Sequence, residues 1–166
     1  MPGSLDLTGR VALVTGATKG LGRAIAEKLC ASGCDVYLNY AHDDDAAELA
    51  VKQLTGLPGT ATAVKGDVRV AGTVPALLSA VRDGSGRLDI MVFNAARHHG
   101  MTALQASTDL VHGDLAGTLD PILAGIGAVA ALMTGGSGRV VVISSSGARQ
   151  VVPGYVSAAM TKAAAE

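Results

Sequence analysis

The stretch Val11-Ala12-Leu13-Val14-Thr15-Gly16-Ala17-Thr18-Lys19-Gly20-Leu21-Gly22 decides the reading of the whole chain. Its first part, residues 11–15, is a short unbroken apolar run, the pattern of a strand covered on both faces. It then passes through three glycines into residues 21–31, whose apolar positions recur at helical spacing. A strand that turns directly into a helix aims the helix's first free N–H groups, and the positive end of its dipole, at one spot beyond the strand. That arrangement suits a pyrophosphate. Gly16 permits the turn, Gly20 lets phosphates approach the backbone, and Gly22 allows the helix to lie close to the strand. Thr18, Lys19 and Leu21 fill the same loop and join the glycines as candidate cofactor-binding residues.

Outward from this turn the same alternation continues. Short runs at 36–39, 61–64, 88–93 and 140–144 read as strands, and stretches at 46–54, 74–81 and 104–133 as helices. The last of these is the least regular, because Gly113, Gly117, Pro121, Gly125 and Gly127 all weaken a helix. Strand-helix alternation at this rhythm predicts right-handed crossovers and an α/β fold with a Rossmann-type, doubly wound parallel sheet. There is no internal repeat and no linker, and the Gly-rich residues 135–138 read as a tight loop. A length of 166 residues fits one domain, here a dinucleotide-binding one.

Composition narrows the class. The chain is 49% hydrophobic and 16% charged, so most of it must pack inside a core. With no Trp, three Tyr and one Phe, that core is built of Val, Ala, Leu and Ile. A net charge of −1 and no run of Lys or Arg exclude a nucleic-acid groove and an anionic membrane surface as partners. Cys30 and Cys34 stand one helical turn apart with no second Cys or His cluster to complete a metal shell, so buried packing is expected and no metal site. No apolar run in the sequence reads as a leader or a membrane span, which predicts a soluble, cytoplasmic protein.

The spacing Gly16-x3-Gly20-x-Gly22 departs from the common Gly-x-Gly-x-x-Gly form and resembles that of the short-chain dehydrogenase/reductase family. Four further segments match that family in order: Gly66-Asp67-Val68, Asn94-Ala95-Ala96, Ile143-Ser144-Ser145 and Lys162. The resemblance spans residues 5–166. It implies that Asp67 and Val68 hold the adenine ring, that Asn94, Ala95 and Ala96 line the cofactor after the fourth strand, and that Ser145 closes the fifth strand as the catalytic serine. It also implies that Lys162 opens the next helix and grips the nicotinamide ribose. Relatives add a sixth and seventh strand, so the chain, which stops in the helix-favouring Ala163-Ala164-Ala165-Glu166, is expected to lack the last strands of the family fold. Relatives also pair through their fourth and fifth helices, which implies a homodimer or homotetramer.

The choice of nicotinamide turns on the end of the second strand. An acid there would bind both ribose hydroxyls of NAD and repel a 2′-phosphate. Asn39 and Tyr40 fall at that position, His42 follows, and Lys19 in the glycine loop is placed to pair with a phosphate. Asp43, Asp44 and Asp45 argue the other way, although they equally suit a helix start. NADPH is expected over NADH.

The family's usual tyrosine, four residues before the lysine, is here Ala158. Tyr155 stands three residues earlier, and Tyr155-x6-Lys162 resembles the type III enoyl-acyl-carrier-protein reductase branch. That resemblance implies an acyl thioester substrate, carried in some cases by an acyl carrier protein. Tyr155 would donate to the enolate oxygen, with Lys162 stabilising the phenolate. A helix beginning at Tyr155 would put both side chains on one face, whereas a start with Ser157 as N-cap would leave Tyr155 on the incoming loop. Ser145 either bonds the substrate oxygen or merely closes the strand. His98 and His99 either sit solvated in their loop or touch substrate. No Asn follows Asn94, so the family's fourth-helix Asn, which holds a relay water, has no counterpart. Three functions remain open: an enoyl-thioester reductase, a carbonyl reductase that has lost its tyrosine at Ala158, and a non-catalytic cofactor-binding or assembly protein.

Overall fold

The computed structural model describes residues 5–166. Five strands, β1 (Val11–Val14), β2 (Asp35–Tyr40), β3 (Ala61–Lys65), β4 (Ile90–Phe93) and β5 (Arg139–Val142), form one parallel sheet in the order β3-β2-β1-β4-β5. Five helices connect and follow them: α1 (Gly20–Ala31), α2 (Asp44–Leu54), α3 (Thr73–Ser85), α4 (Thr108–Leu132) and α5 (Val156–Ala165). The pleat of β1 divides the core in two. Val11 and Leu13 face α3 and α4, packing with Leu77, Leu78, Met91 and Val129, whereas Ala12 and Val14 face α1 and α2, packing with Ala26, Cys30, Ala50 and Leu54. Helices therefore cover both faces, and the doubly wound α/β architecture read from the sequence is the one observed.

Four local readings need correction. Residues 104–133 are not one helix: a 3-10 turn at Ala103–Gln105 is followed by a break, and α4 begins where the Ser107 hydroxyl caps the Leu110 amide. Beyond that break the glycines do not interrupt it, and one of them, Gly125, serves packing. A Cβ on Gly125 would come within 2.5 Å of Val74 Cγ1, so the bare backbone lets α4 approach α3 closely. Second, this 25-residue helix is long and apolar enough, by length and composition, to cross a bilayer, which the sequence reading had not expected of any segment. In the structure its buried positions, Asp114, Gly117, Thr118, Pro121, Gly125 and Val129, lie within the protein. Third, β5 is shorter than expected and is not covered on both faces, since Val140 and Val141 stay exposed at the sheet edge. Finally, α5 starts at Val156, so Lys162 lies in its last turn and does not open it. Ser157 is fully buried inside that helix and is not its cap.

Candidate active site

In a doubly wound sheet the ligand crevice opens at the carboxyl ends of the strands, where the strand order reverses. Here that point lies between β1 and β4. Gly16 and Gly20 adopt φ of 62° and 56°, left-handed values that favour glycine. A Cβ on Gly22 would stand 2.2 Å from the Gly16 carbonyl oxygen and 2.6 Å from Asn94 Nδ2, so only hydrogen fits there. Asn94 pins the turn from the neighbouring strand by donating to the carbonyls of Thr15 at 2.9 Å and Gly16 at 3.1 Å. Thr15 Oγ1 in return accepts from the amides of Asn94 at 2.9 Å and Ala95 at 3.0 Å. Helix α1 starts with no side-chain cap and no acid in its first turn. Its first N–H groups are thus left to an outside acceptor, and the open space beside Gly20 leaves room for a pyrophosphate to approach the backbone.

Beside the turn, a cavity is lined by Gly16, Asn39, Gly66, Asp67, Val68 and Ala95, among others. Asn39 is buried and its amide is taken up by backbone: it donates to Gly66 O at 2.8 Å and Val64 O at 3.3 Å, and accepts from Gly16 N at 3.4 Å. It braces β1, β2 and β3 at the cavity floor, and offers its surface but no free polar atom. Asp67 is gripped by Arg69 through bonds of 2.9 and 2.6 Å, and this pairing above all holds its carboxyl down at about 2. His42 approaches it at 3.5 Å.

A second hollow, bounded by Thr18, Lys19, Tyr40, His42 and Asp43, opens between the glycine loop and the end of β2. Lys19 is not free in it: its ammonium pairs with Asp43 at 2.9 Å, while Asp43 also caps α2 by accepting from the Ala46 amide. The acid run therefore does two things, starting the helix and occupying the lysine. The Tyr40 hydroxyl donates to Asp44 at 2.9 Å.

At the other side of the crevice stand Ser145, Tyr155 and Lys162. Tyr155 is the residue before α5 (φ −117°, ψ 19°), half in the helix. Its ring lies against Gly147, where an added Cβ would sit 2.6 Å from the ring and 3.4 Å from Ser145 Oγ. Among the described residues Ser145 Oγ is buried without a hydrogen-bond partner, as is Thr118 Oγ1 on α4. Lys162 is 8% exposed and donates to the Ile143 carbonyl at 2.6 Å, and burial pushes its ammonium pKa down. Ala158 and Lys162, one helical turn apart on α5, are both buried, and Tyr155 stands just before the helix, three residues ahead of Ala158.

Sequence reasoning missed Thr15, Arg69, Asp114 and Ser157. Asp114 carried a signal, as the one acid at a core-facing place in an apolar helix. Thr15, Arg69 and Ser157 carried none, because their partners become neighbours only on folding. Both loop histidines prove engaged: His99 bonds Asp114 through its ring and its amide, and the His98 ring meets Tyr155 edge-on at a centroid distance of 5.2 Å.

Residues 10–166 match the family described as short chain dehydrogenase. The chain belongs to that family. The chain is 34% identical over 157 residues to a 1-cyclohexenylcarbonyl-CoA reductase of Streptomyces collinus, covering 95% of this chain and 56% of that protein. It is 34% identical over 162 residues to a 3-oxoacyl-[acyl-carrier-protein] reductase of a Synechocystis strain, covering 95% of this chain and 64% of the relative. A solved short chain dehydrogenase from Burkholderia cenocepacia, in complex with NADP, superposes with a TM-score of 0.87 at 29% identity, over 98% of this chain and 66% of the other. The chain thus spans between about half and two thirds of the length of these relatives.

Proposed function

We propose that this chain carries the cofactor site and the reactive edge of an NADPH-dependent reductase of unsaturated acyl thioesters. The observation that carries the reading is that the Tyr155 ring and the buried Ser145 hydroxyl, unpartnered among the described residues, flank the same glycine, Gly147, while Lys162 lies buried on the helix that Tyr155 precedes and Ala158 offers only a methyl group. The pyrophosphate would lie on the first turn of α1, and the adenosine half over Asp67 and Val68. Bound there, the reduced nicotinamide supplies a hydride. Delivery of that hydride to the β-carbon of an enoyl thioester leaves negative charge on the carbonyl oxygen, which a donor fixed in advance stabilises. Tyr155 donates its hydroxyl to that oxygen, and Ser145 offers a second donor. Lys162, a buried cation with no carboxylate partner among the described residues, would favour the phenolate form of Tyr155 when the two meet at the bound cofactor. Its bond to the Ile143 carbonyl holds the ammonium at the end of β5.

Carbonyl reduction, the second reading, is supported by the 3-oxoacyl relative, but it calls for a hydroxyl where Ala158 has none. The name of the Streptomyces relative denotes an unsaturated acyl thioester, which supports the first. The soluble acyl carrier or coenzyme that bears the thioester, and assembly into dimers or tetramers through α4 and α5, belong to the same proposal. The test is oxidation of NADPH with a crotonyl-type and an acetoacetyl-type thioester side by side. We expect turnover of the crotonyl substrate, and a loss on the order of 100-fold in Tyr155→Phe with NADPH affinity unchanged. Preference for the acetoacetyl substrate would transfer the assignment to the carbonyl reductases. Failure to bind either nicotinamide would remove both.

A further inference from the structure

Asp114 is a buried acid that the chemistry above does not use. It is 1% exposed on α4, yet three donors converge on it. Its Oδ2 accepts from the His99 amide at 2.8 Å and from Ser157 Oγ at 2.5 Å, and its Oδ1 lies 2.8 Å from His99 Nδ1. Burial pushes this carboxyl up, but the bonds from Ser157, the His99 amide and the His99 ring more than offset it and hold the group below the usual carboxylate range. An ionised carboxylate enclosed in this way fixes its partners firmly, since none of them finds an equivalent acceptor nearby. It also selects the His99 tautomer that carries its proton on Nδ1.

The partners lead to one place. Ser157 stands two residues after Tyr155, in the first turn of α5. His99 lies between His98, whose ring meets Tyr155, and Met101, which forms a parallel bridge with Tyr155. In that bridge the Met101 amide donates to Gly154 O at 3.0 Å and the Val156 amide to Met101 O at 3.4 Å. Tyr155 itself has no helical backbone and no cap bond of its own side chain. Its location is therefore set by the loop on one side and by α5 on the other, and Asp114 adds a side-chain tie between these two to the backbone bridge at Met101.

We propose that Asp114 is a positioning residue, acting through His99 and Ser157 to hold the Tyr155 hydroxyl where the substrate oxygen must be met. The catalytic part of this statement rests on the reading of Tyr155 given above, whereas the positional part does not. Asp114→Asn preserves shape and removes the charge and one acceptor. The first readout is proton NMR of the His98 imidazole, assigned with His98→Gln, because an aromatic ring 5.2 Å away displaces its signals. In Asp114→Asn the His98 signals should move toward their positions in Tyr155→Leu, with the His99 signals moving too, while the melting temperature and NADPH affinity stay near parent values. Turnover of the crotonyl-type thioester should fall at least about tenfold in kcat, as small misplacements of a reacting group do, with little change in KM for NADPH. Ser157→Ala and His99→Gln, each removing one arm, should give intermediate shifts, and they carry the test if Asp114→Asn does not fold. Unmoved His98 signals in folded variants, or a kcat loss that merely tracks the melting temperature, would overturn the proposal. Shifted His98 signals together with an unimpaired Tyr155→Phe enzyme would uphold the positioning and reject the chemical reading of Tyr155.

Discussion

The cofactor side of the crevice and its reactive side are built on opposite plans. Around β1 and α1, a seven-residue segment holds Gly16, Gly20 and Gly22, and the site is made of backbone: positive φ values, free amides and a carbonyl that leaves no room for a Cβ. Around α5, the site is made of side chains brought from far apart, with Ser157 reaching Asp114 across 43 positions and His99 reaching it across 15. A backbone site is indifferent to charge and intolerant of volume. A side-chain site responds in the reverse way, which is why an isosteric loss of charge at Asp114 is informative whereas the informative change in the glycine loop is an added methyl.

The strongest test of this contrast uses one substitution at two glycines. In Gly22→Ala the new methyl meets the Gly16 carbonyl at 2.2 Å and Asn94 Nδ2 at 2.6 Å, so the turn itself must shift. NADPH affinity should fall roughly 100-fold or more, equivalent to about 2.7 kcal/mol, and the melting temperature should drop, as overpacking predicts. Gly113→Ala, in the exposed first half of α4, meets nothing within 4 Å and has an ordinary helical backbone. There the gain in helix propensity should stabilise the protein by about 0.5–1 kcal/mol. Cofactor titration and thermal melts of the two variants decide it, and an intact Gly22→Ala binder would refute the backbone plan.

The same contrast explains what the sequence could reveal. Strands and the glycine turn depend on residues a few positions apart, so they were readable to within a residue or two, whereas the ends of α3, α4 and α5 differ from the reading by about four to six residues. Asp43 is the intermediate case: its capping role was visible in the chain, whereas its pairing with Lys19, 24 residues away, was not. Asn39 was read as facing the cofactor because it ends β2, but the approach of β3 turns its amide onto Val64 and Gly66. Of the His99-Asp114-Ser157 cluster only Asp114 left a trace, as an acid on the core face of an apolar helix, since no periodicity records which loop folds over which helix. Gly125 of α4 misled for a related reason, because its meaning is given by Val74 and Phe93 across the interface and not by propensity.

A smaller effect is expected at Asp67, which lines the cavity beside the glycine turn yet is held by charge. Its carboxyl sits at about 2 in the folded protein, below the value near 3.9 of an unfolded chain. A depressed folded pKa contributes stability that is present above the unfolded value and is lost as pH falls through about 4 toward 2. The contribution is on the order of 1 kcal/mol, reduced because Arg69 is only two residues away and partly exposed, so some of the pairing survives unfolding. Melting temperatures of the parent and of Asp67→Asn should therefore differ near neutrality and converge by about pH 2. A gap that persists undiminished in acid would show that Asp67 stabilises by shape and not by its charge.

The finest test concerns Lys19, where the two plans meet, since a backbone loop there carries a side-chain cation. Lys19 would favour NADPH if its ammonium reached a 2′-phosphate, but Asp43 already holds it at 2.9 Å and adds a negative charge to the same hollow. Both partners are largely exposed, so the pair is weak and a phosphate can compete for the lysine. Asp43→Asn separates the roles, because asparagine caps a helix as well as aspartate does and can still accept from the Ala46 amide. The variant should fold like the parent and bind NADPH about two- to fivefold more tightly, the scale of one exposed ion pair. NADH, which places no phosphate there, should be unaffected. Adding Lys19→Ala to Asp43→Asn should remove most of the gain, and the whole effect should shrink as salt is raised. Equal gains for both nicotinamides would mean that the hollow between the glycine loop and β2 does not receive the 2′-phosphate, and the preference for NADPH would then have to be sought in Arg69 and His42 around Asp67.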